Sequence, residues 1–103
     1  SLLNKLITNY NSIIDVSCGD NDDIFKITDS NKLVVGNDIN LYQLKHNEEK
    51  YNHVIFTNDN ILDLSFSKNI FDISYCKNTL HHMNNKEELN QFQLTIQVNF
   101  LNI

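Results

Sequence analysis

The sequence predicts an α/β fold, an open and mainly parallel sheet flanked by helices, within a single domain. Four short runs rich in Val, Ile, Phe and Tyr are separated by polar segments long enough for a helix or a turn. The first three runs stay apolar over consecutive positions, which is typical of strands covered on both faces. At 103 residues the chain is long enough for one core and too short for two. Strands that alternate with helices indicate βαβ units with right-handed crossovers.

The predicted elements follow in order along the chain. Leu2, Leu3, Leu6 and Ile7 recur at helical spacing before the first strand. The four predicted strands are 12–16, 32–36, 53–57 and 71–76. Helices or single turns are predicted in 20–29 and 40–51, and the pairs Glu48-Glu49-Lys50 and Lys86-Glu87-Glu88 are interpreted as solvated helix faces.

The tail, residues 90–103, fits two readings. Apolar residues alternate with polar ones from Phe92 to Phe100, which is the period of a half-buried strand. Leu89, Phe92 and Ile96 also fit helical spacing, after a Lys-Glu-Glu sequence that favours a helix start. Both readings stay open.

Composition restricts the classes of partner and the compartment. The net charge of −5 disfavours binding to nucleic acid or to an anionic membrane without help. No apolar run approaches the roughly 20 residues of a membrane helix, and the N-terminus lacks the pattern of a signal peptide. We therefore expect a cytoplasmic location. The eighteen Asn residues and the absence of Arg, Ala, Pro and Trp are interpreted as the mark of an AT-rich genome.

The two cysteines, Cys18 and Cys76, are too few for a disulfide framework or a zinc site. Both lie at the ends of apolar runs, where a small sulfur side chain commonly packs in a core. We expect both to be buried, and we predict no metal site.

The candidate site lies where the predicted strands end. Ligands of open α/β sheets bind beyond the carboxyl ends of the strands. Asp15, Asp38 and Asp59 stand at or just after the first three strands, and Asn78, His81 and His82 follow the fourth. Carboxylates in this arrangement suit the hydroxyl and amino groups of a nucleoside.

Four segments together resemble the N-terminal half of the class I S-adenosylmethionine (SAM)-dependent methyltransferases, of the small-molecule "type 11" kind. They are 13–19 (IIDVSCG), 34–38 (VVGND), 56–66 (FTNDNILDLSF) and 71–83 (FDISYCKNTLHHM). The resemblance covers roughly residues 1–90 and implies a Rossmann-like sheet that is incomplete relative to the family's seven strands. The tail from residue 90 does not resemble the family's continuation, so we expect 1–103 to be one truncated domain.

The resemblance also implies a set of SAM-binding residues. The turn at 17–21 would lie against the methionine part of SAM, with Asp15 orienting it and Gly19 permitting close approach. Asp38 would accept hydrogen bonds from both ribose hydroxyls. Asp59 would accept a hydrogen bond from the adenine amino group, and Asn78 would lie near the methyl group. The implied contacts in full are Asp15, Ser17, Cys18, Gly19, Asp38, Ile39, Asp59, Asn60, Ile61 and Asn78.

Two departures from the family pattern concern this turn. Ser17 and Asn21 occupy places where the family carries glycine, and Asn tolerates positive φ better than other residues do. A side chain at position 17 predicts weakened SAM affinity. No catalytic base is identified: His81 and His82 are candidates for contact with an acceptor, and packing or capping is the simpler interpretation.

Three functions are compared. The first is SAM-dependent methyl transfer to a small-molecule acceptor; the second is a truncated relative without turnover that binds SAM weakly or serves as an interaction module. A nicotinamide-dependent oxidoreductase also fits the fold, but the G-x-G-x-x-G turn is missing. The family order 3-2-1-4, if it ended there, would leave both outer strands bare. This predicts that the tail covers one edge, or that a second copy pairs with it.

Overall fold

The computed structural model describes Asn4, residues 7–66 and 70–76, and the backbone of 99–102. Five strands are present: β1 Ser12–Asp15, β2 Leu33–Asn37, β3 Val54–Thr57, β4 Ile73–Cys76 and β5 Asn99–Asn102. Two helices lie between the first three strands, α1 Asp23–Lys26 and α2 Leu41–Lys50. Asn4 and Ile7 are helical, and the rest of 2–6 lies outside the described residues. Each predicted strand is confirmed to within two residues at either end.

The strands form one parallel sheet in the order β3-β2-β1-β4-β5. The fold is therefore the Rossmann-like α/β sheet expected, incomplete relative to seven strands. The prediction that the tail covers one edge of the 3-2-1-4 sheet is confirmed for four residues, because Asn99–Asn102 pairs with Ile73–Cys76. For these four residues the strand reading of the tail holds; residues 90–98 and Ile103 lie outside the described part.

Apolar side chains bury both faces of the sheet, as the continuous runs predict. Ile13, Val34 and Val54 point to the face covered by α1 and α2, where Phe25 and Leu44 complete the main core. On the opposite face, the segment after β3 covers a smaller cluster formed by Ile14, Val16, Val35, Phe71 and Cys76. Cys18 and Cys76 are both buried, so the prediction of core cysteines is confirmed.

Gly36 lets α1 approach the middle of the sheet. A Cβ atom at this position would lie 2.6 Å from Cζ of Phe25 and 2.9 Å from Cε1 of Phe56. The two rings pack edge to face with centroids 5.4 Å apart. The missing side chain thus makes room for an aromatic pair between the helix and β3.

Asp22, just before α1, links the two helices. Its Oδ2 accepts hydrogen bonds from the hydroxyl of Tyr51 and from Nζ of Lys50, and Nζ of Lys26 lies 3.6 Å from its Oδ1. The hydroxyl of Tyr51 is the largest of the causes that lower the pKa of Asp22. Glu48, Glu49 and Lys50 are exposed, as predicted for a solvated helix face. No helix in the described residues is long and apolar enough to cross a membrane.

Candidate functional site at the carboxyl ends of the strands

The chain turns sharply after β1. Gly19 has a φ of +54°, in the left-handed region that glycine enters without steric cost. The N–H of Asn21 donates to the carbonyl of Cys18 at 2.8 Å, and the N–H of Cys18 donates to the carbonyl of Asn37 at 2.8 Å. These bonds close the turn and attach it to the end of β2.

Asp38 joins this turn to the start of α2. Its Oδ2 accepts the N–H of Gly19 at 2.7 Å, and its Oδ1 accepts the N–H of Asn40 at 2.7 Å. Asn40 in turn caps α2, because its Oδ1 accepts from the N–H groups of Tyr42 and Gln43. The structure therefore brings together Gly19 and Asp38, two predicted site residues that are separated by 19 positions in sequence.

The end of the Gln43 side chain on α2 lies close to Gly19, and the positive φ of Gly19 disfavours any larger residue there. A Cβ atom on Gly19 would lie 3.0 Å from Oε1 of Gln43 and 3.6 Å from Oδ2 of Asp38. Asn47, one helical turn further on and buried, donates from Nδ2 to the carbonyl of Gly19 at 3.0 Å. Both backbone groups of the glycine are thus fixed from the side of β2 and α2.

Asn37 holds three strand ends together and was not predicted as a site residue. Its side chain is fully buried and forms four hydrogen bonds. Nδ2 donates to the carbonyls of Val16 and Asp59, and Oδ1 accepts from Oγ1 of Thr57 and from the N–H of Asp59, all at 2.8–3.0 Å. All the usual bonding positions of an amide are therefore filled.

The loop after β3 contains the remaining predicted contacts. Oδ2 of Asp59 accepts the N–H of Ser65 at 3.1 Å, and Oδ1 of Asn60 accepts the N–H of Leu62 at 2.9 Å. Ile61 packs against the smaller apolar cluster, whereas Ile39 is 66% exposed. Asn58 ties this loop to β2, since its Nδ2 donates to the carbonyls of Asp38 and Ile39.

Asp15, at the end of β1, is 1% exposed. Burial raises the pKa of its carboxyl group from 3.8 to about 8; the N–H of Ser17, which donates to Oδ1 at 3.2 Å, opposes this rise. The charges of Asp38 and Asp23 raise the pKa further. The first strand therefore ends in a carboxyl group whose ionisation is opposed by two neighbouring carboxylates.

The carboxylates near Asp15 also raise the pKa of two other buried groups. Burial raises the pKa of the Cys18 thiol, and the charges of Asp15 and Asp38 add to it. Burial also raises the pKa of Tyr75 on β4 to about 12, and the charges of Asp23 and Asp15 contribute. An un-ionised thiol in the core fits a packing role for the Cys18 side chain.

The predicted set divides into three groups. Asp15, Gly19 and Asp38 lie together at the ends of β1 and β2, and Asp59 is connected to them through Asn37. Cys18 faces the main core, Ser17 and Ile61 are half-buried, and Ile39 and Asn60 are exposed. Asn78, His81 and His82 lie outside the described residues. No group of three or more His, Cys, Asp or Glu side chains placed to hold a metal occurs among the described residues.

A cleft of about 310 Å³ opens on the α2 side of the turn rather than at the strand ends. Its walls include Asp20, Asn40, Tyr42, Gln43 and His46. Asp20 belongs to the predicted 17–21 turn, and the other four were not predicted as site residues. The cleft adjoins Gly19 through Gln43, but the carboxylates of Asp15 and Asp38 are not among its walls, so it does not coincide with the predicted site.

Asparagines supply the contacts that the sequence analysis missed. Asn37, Asn47 and Asn58 fix the positions of the predicted residues, yet eighteen Asn residues in the chain conceal which of them matter. One local signal existed for Asn37: it is an amide at the end of a buried strand and directly before a predicted site acid. A buried amide in that place requires partners from neighbouring strand ends.

Comparison with known proteins places the chain in a family. A family model described as a methyltransferase domain matches residues 13–98. No curated protein matches the chain. The match extends to residue 98, beyond the roughly 90 residues over which the sequence resemblance was drawn.

Solved structures share the fold at low identity. The PH0226 protein from Pyrococcus horikoshii OT3 aligns with 98% of this chain and 52% of its own, at 24% identity and a TM-score of 0.79. The sugar N-methyltransferase KedS8 from Streptoalloteichus sp. ATCC 53650 aligns with 94% of this chain and 40% of its own, at 14% identity and a TM-score of 0.77. A TehB-like SAM-dependent methyltransferase from Corynebacterium glutamicum aligns with 98% and 58%, at 11% identity and a TM-score of 0.75. The chain thus spans between two fifths and three fifths of the length of these structures.

Proposed function

The chain belongs to the methyltransferase-domain family, and on that premise we propose that it binds SAM and takes part in methyl transfer to a small-molecule acceptor. The observation that carries the proposal is the contact between Gly19 and Asp38. It puts a left-handed glycine turn and a carboxylate side by side at the ends of adjoining parallel strands. In an open α/β sheet this is the place where nucleotide-like ligands bind.

The carboxylate of Asp38 fits the ribose of SAM. Each of its oxygens accepts one backbone N–H, from Gly19 and from Asn40. A carboxylate has about four acceptor positions, so two remain for the two hydroxyl groups of a ribose. Asp38 is partly exposed, which leaves these positions accessible.

The charge of the site fits the positive charge of SAM. Asp15, Asp23 and Asp38 lie close enough to perturb one another or their common neighbours. The described lysines bind elsewhere or point to solvent: Lys26 and Lys50 pair with Asp22, and Lys32 donates to the carbonyl of Tyr10. A cationic ligand would supply the missing counter-charge.

The adenine is proposed to lie between the loops that follow β2 and β3. Asn58 joins these loops by its bonds to the carbonyls of Asp38 and Ile39. Ile39 offers an exposed apolar surface for a ring, and Asp59 offers a carboxylate for an exocyclic amino group. Asn60 and Ile61 flank this position.

SAM supplies a methyl group already activated by its sulfonium centre, so the protein mainly aligns the donor with the acceptor and excludes water. The residues around Gly19 and Asp38 would hold the donor in one orientation. We propose a small molecule as acceptor, rather than a nucleic acid or a membrane lipid, because the chain carries a net charge of −5. His81 and His82 remain proposed acceptor contacts.

Titration calorimetry with SAM, its demethylated product S-adenosylhomocysteine and NAD tests the proposal. We expect binding of the first two ligands and no heat with NAD. Asp38→Ala should weaken the affinity for SAM by ~10- to 100-fold, since hydrogen bonds to a charged group contribute about 1.5–3 kcal/mol.

Asp29→Asn is the matched control. Asp29 also accepts an N–H two residues ahead, from Asn31 at 2.9 Å, but it lies before β2, at the opposite end of the sheet. We expect this variant to bind SAM as the unmodified chain does. Equal affinities for the Asp38→Ala and Asp29→Asn variants would refute the ribose assignment, and no heat with SAM or its product would refute the proposed function.

Turnover separates an enzyme from a relative that only binds. Radiolabelled methyl groups from SAM should appear in a small-molecule fraction of a metabolite extract when the chain is present. Binding without any transfer would instead favour the alternative, a truncated relative without turnover.

A further inference from the structure

Asn47 is a buried polar side chain on α2, and its partners lie in the turn after β1. It is 1% exposed, and its Nδ2 donates to the carbonyl of Gly19 at 3.0 Å and to the carbonyl of Asn21 at 3.4 Å. Burying an amide is costly unless it is hydrogen-bonded, so these bonds tie the turn firmly to α2. The proposed function assigns Asn47 no role.

The bond from Asn47 to the Gly19 carbonyl also sets the direction of the next N–H group. In a trans peptide, the C=O of one residue and the N–H of the following residue lie in one plane and point in opposite directions. Because the Gly19 carbonyl points towards Asn47 on α2, the N–H of Asp20 points away from α2. Asp20 is exposed, and no group among the described residues accepts this N–H. The turn therefore presents a hydrogen-bond donor whose direction Asn47 fixes.

Asp38 fixes a different peptide group of the same turn. Its Oδ2 accepts the N–H of Gly19, which belongs to the peptide group that precedes this glycine. Gly19 has a φ of +54°, and a glycine backbone has more conformational freedom than that of any other residue. The peptide groups before and after Gly19 are thus held by two separate side chains, Asp38 and Asn47, whose contributions are measurable separately.

We infer that Asn47 is a positioning residue that aims the N–H of Asp20 at the carboxylate of the ligand's amino acid part. The inference rests on the proposed function and on the implied placement of the methionine part of SAM against the 17–21 turn. A carboxylate only accepts hydrogen bonds, and its charge makes a bond from a backbone N–H a comparatively strong one. Asn47 does not contact the ligand but acts through the peptide group between Gly19 and Asp20.

Two uncharged thioethers separate this role from a merely structural one in titration calorimetry. S-Adenosylhomocysteine carries the amino acid part, whereas 5′-methylthioadenosine has the same adenosine and a thioether without it. Asn47→Ala should weaken the affinity for S-adenosylhomocysteine by ~5- to 30-fold and leave the affinity for 5′-methylthioadenosine within about twofold. Asp38→Ala should weaken both ligands alike, because both carry the ribose.

Thr28→Val is the matched control. The Thr28 hydroxyl also donates to a backbone carbonyl, that of Ile24 at 2.8 Å, but Thr28 lies before β2, at the opposite end of the sheet. We expect this variant to bind both ligands as the unmodified chain does. Equal losses for the two ligands in Asn47→Ala would indicate a general distortion of the site and overturn the inference, as would an unchanged affinity for S-adenosylhomocysteine.

A second measurement needs no variant and so does not depend on the folding of Asn47→Ala. Gly19 and Asp20 form the only Gly-Asp pair in the sequence, so ¹³C-carbonyl labelling of glycine with ¹⁵N labelling of aspartate isolates the Asp20 amide signal. This signal should move downfield at saturating S-adenosylhomocysteine and stay near its ligand-free position with 5′-methylthioadenosine. Equal movement with both ligands would overturn the inference and leave the proposed function intact. Absence of binding by both ligands would count against the function and, with it, against this inference.

Discussion

At the scale of single residues, burial decides the behaviour of Asp15 more than its neighbours do. Its pKa of about 8 lies far above the 3.8 expected in the unfolded chain. Between these two values the folded protein holds a proton that the unfolded chain has released. This group therefore favours folding least at high pH: the stability it contributes is present below pH 3.8 and is lost as the pH rises towards 8.

Asp15→Asn should stabilise the fold, and the gain should depend on pH. The free energy of unfolding of the variant, minus that of the unmodified chain, should grow by about 1.4 kcal/mol per pH unit between pH 5 and 7. It should level off above pH 8. Urea denaturation across this range measures the difference, and Asp29→Asn should show no such slope. Parallel curves for Asp15→Asn and the unmodified chain would contradict the burial argument.

Sequence reasoning located Asp15, Asp38 and Asp59 at the ends of the strands but did not identify the amides that hold them there. An acid at the end of an apolar run is visible in the sequence because the strand pattern marks where the run ends. Asn37 follows the same run, and its burial depends on the carbonyls of Val16 and Asp59, which are distant in sequence. Partners of that kind become apparent only once three strands lie side by side.

At the scale of elements, the four strands are confirmed, and so is the prediction of a helix or a single turn in 20–29. The 20–29 segment contains a helix of only four residues, Asp23–Lys26, because the turn that positions Gly19 and Asn21 uses the preceding part. The strands are easier to predict, because a short continuous apolar run is typical of a strand that is buried on both faces of a parallel sheet. The tail was ambiguous because its apolar residues satisfy both periods, and backbone pairing with β4 decides the matter for 99–102.

Gly36→Ala should destabilise the packing of α1 on β2. The new methyl group would overlap Cζ of Phe25, and overpacking of this kind costs about 1–3 kcal/mol. Phe25→Leu in the same chain should recover part of the loss by freeing space. Urea denaturation of the two single variants and the double variant measures the coupling. If the change in the free energy of unfolding of the double variant equals the sum of the two single changes within about 0.5 kcal/mol, the two residues do not compete for space.

At the scale of the whole molecule, the family resemblance and the parallel sheet were predicted, and a strand in the tail that covers one sheet edge was one of two predicted alternatives. The sheet order that the family implies, 3-2-1-4, is present, with β5 continuing it. The chain spans about half the length of the PH0226 structure, which it otherwise follows closely. The methyl acceptor lies beyond sequence reasoning, because none of the four resembling segments identifies an acceptor.

Self-association is proposed through the β3 edge of the sheet. β5 covers the side of β4, whereas β3 has a strand on one side only among those described, and Ile55 on it is 54% exposed. We expect a concentration-dependent dimer in sedimentation velocity, weakened by Ile55→Lys. Leu41→Lys, at a position of similar exposure on α2, is the control and should leave the dimer unchanged. A monomer at high concentration would contradict this proposal.

The central claim is that an adenosyl ligand lies over the turn at Gly19, and the composition of the chain permits one direct test of it. There are only two glycines, so glycine-selective ¹⁵N labelling yields two amide signals. On titration with SAM the Gly19 signal should move strongly, because its N–H is bound to Asp38, while that of Gly36, enclosed by Phe25 and Phe56, should hardly move. A Gly19 signal that stays in place at saturating SAM would contradict the account.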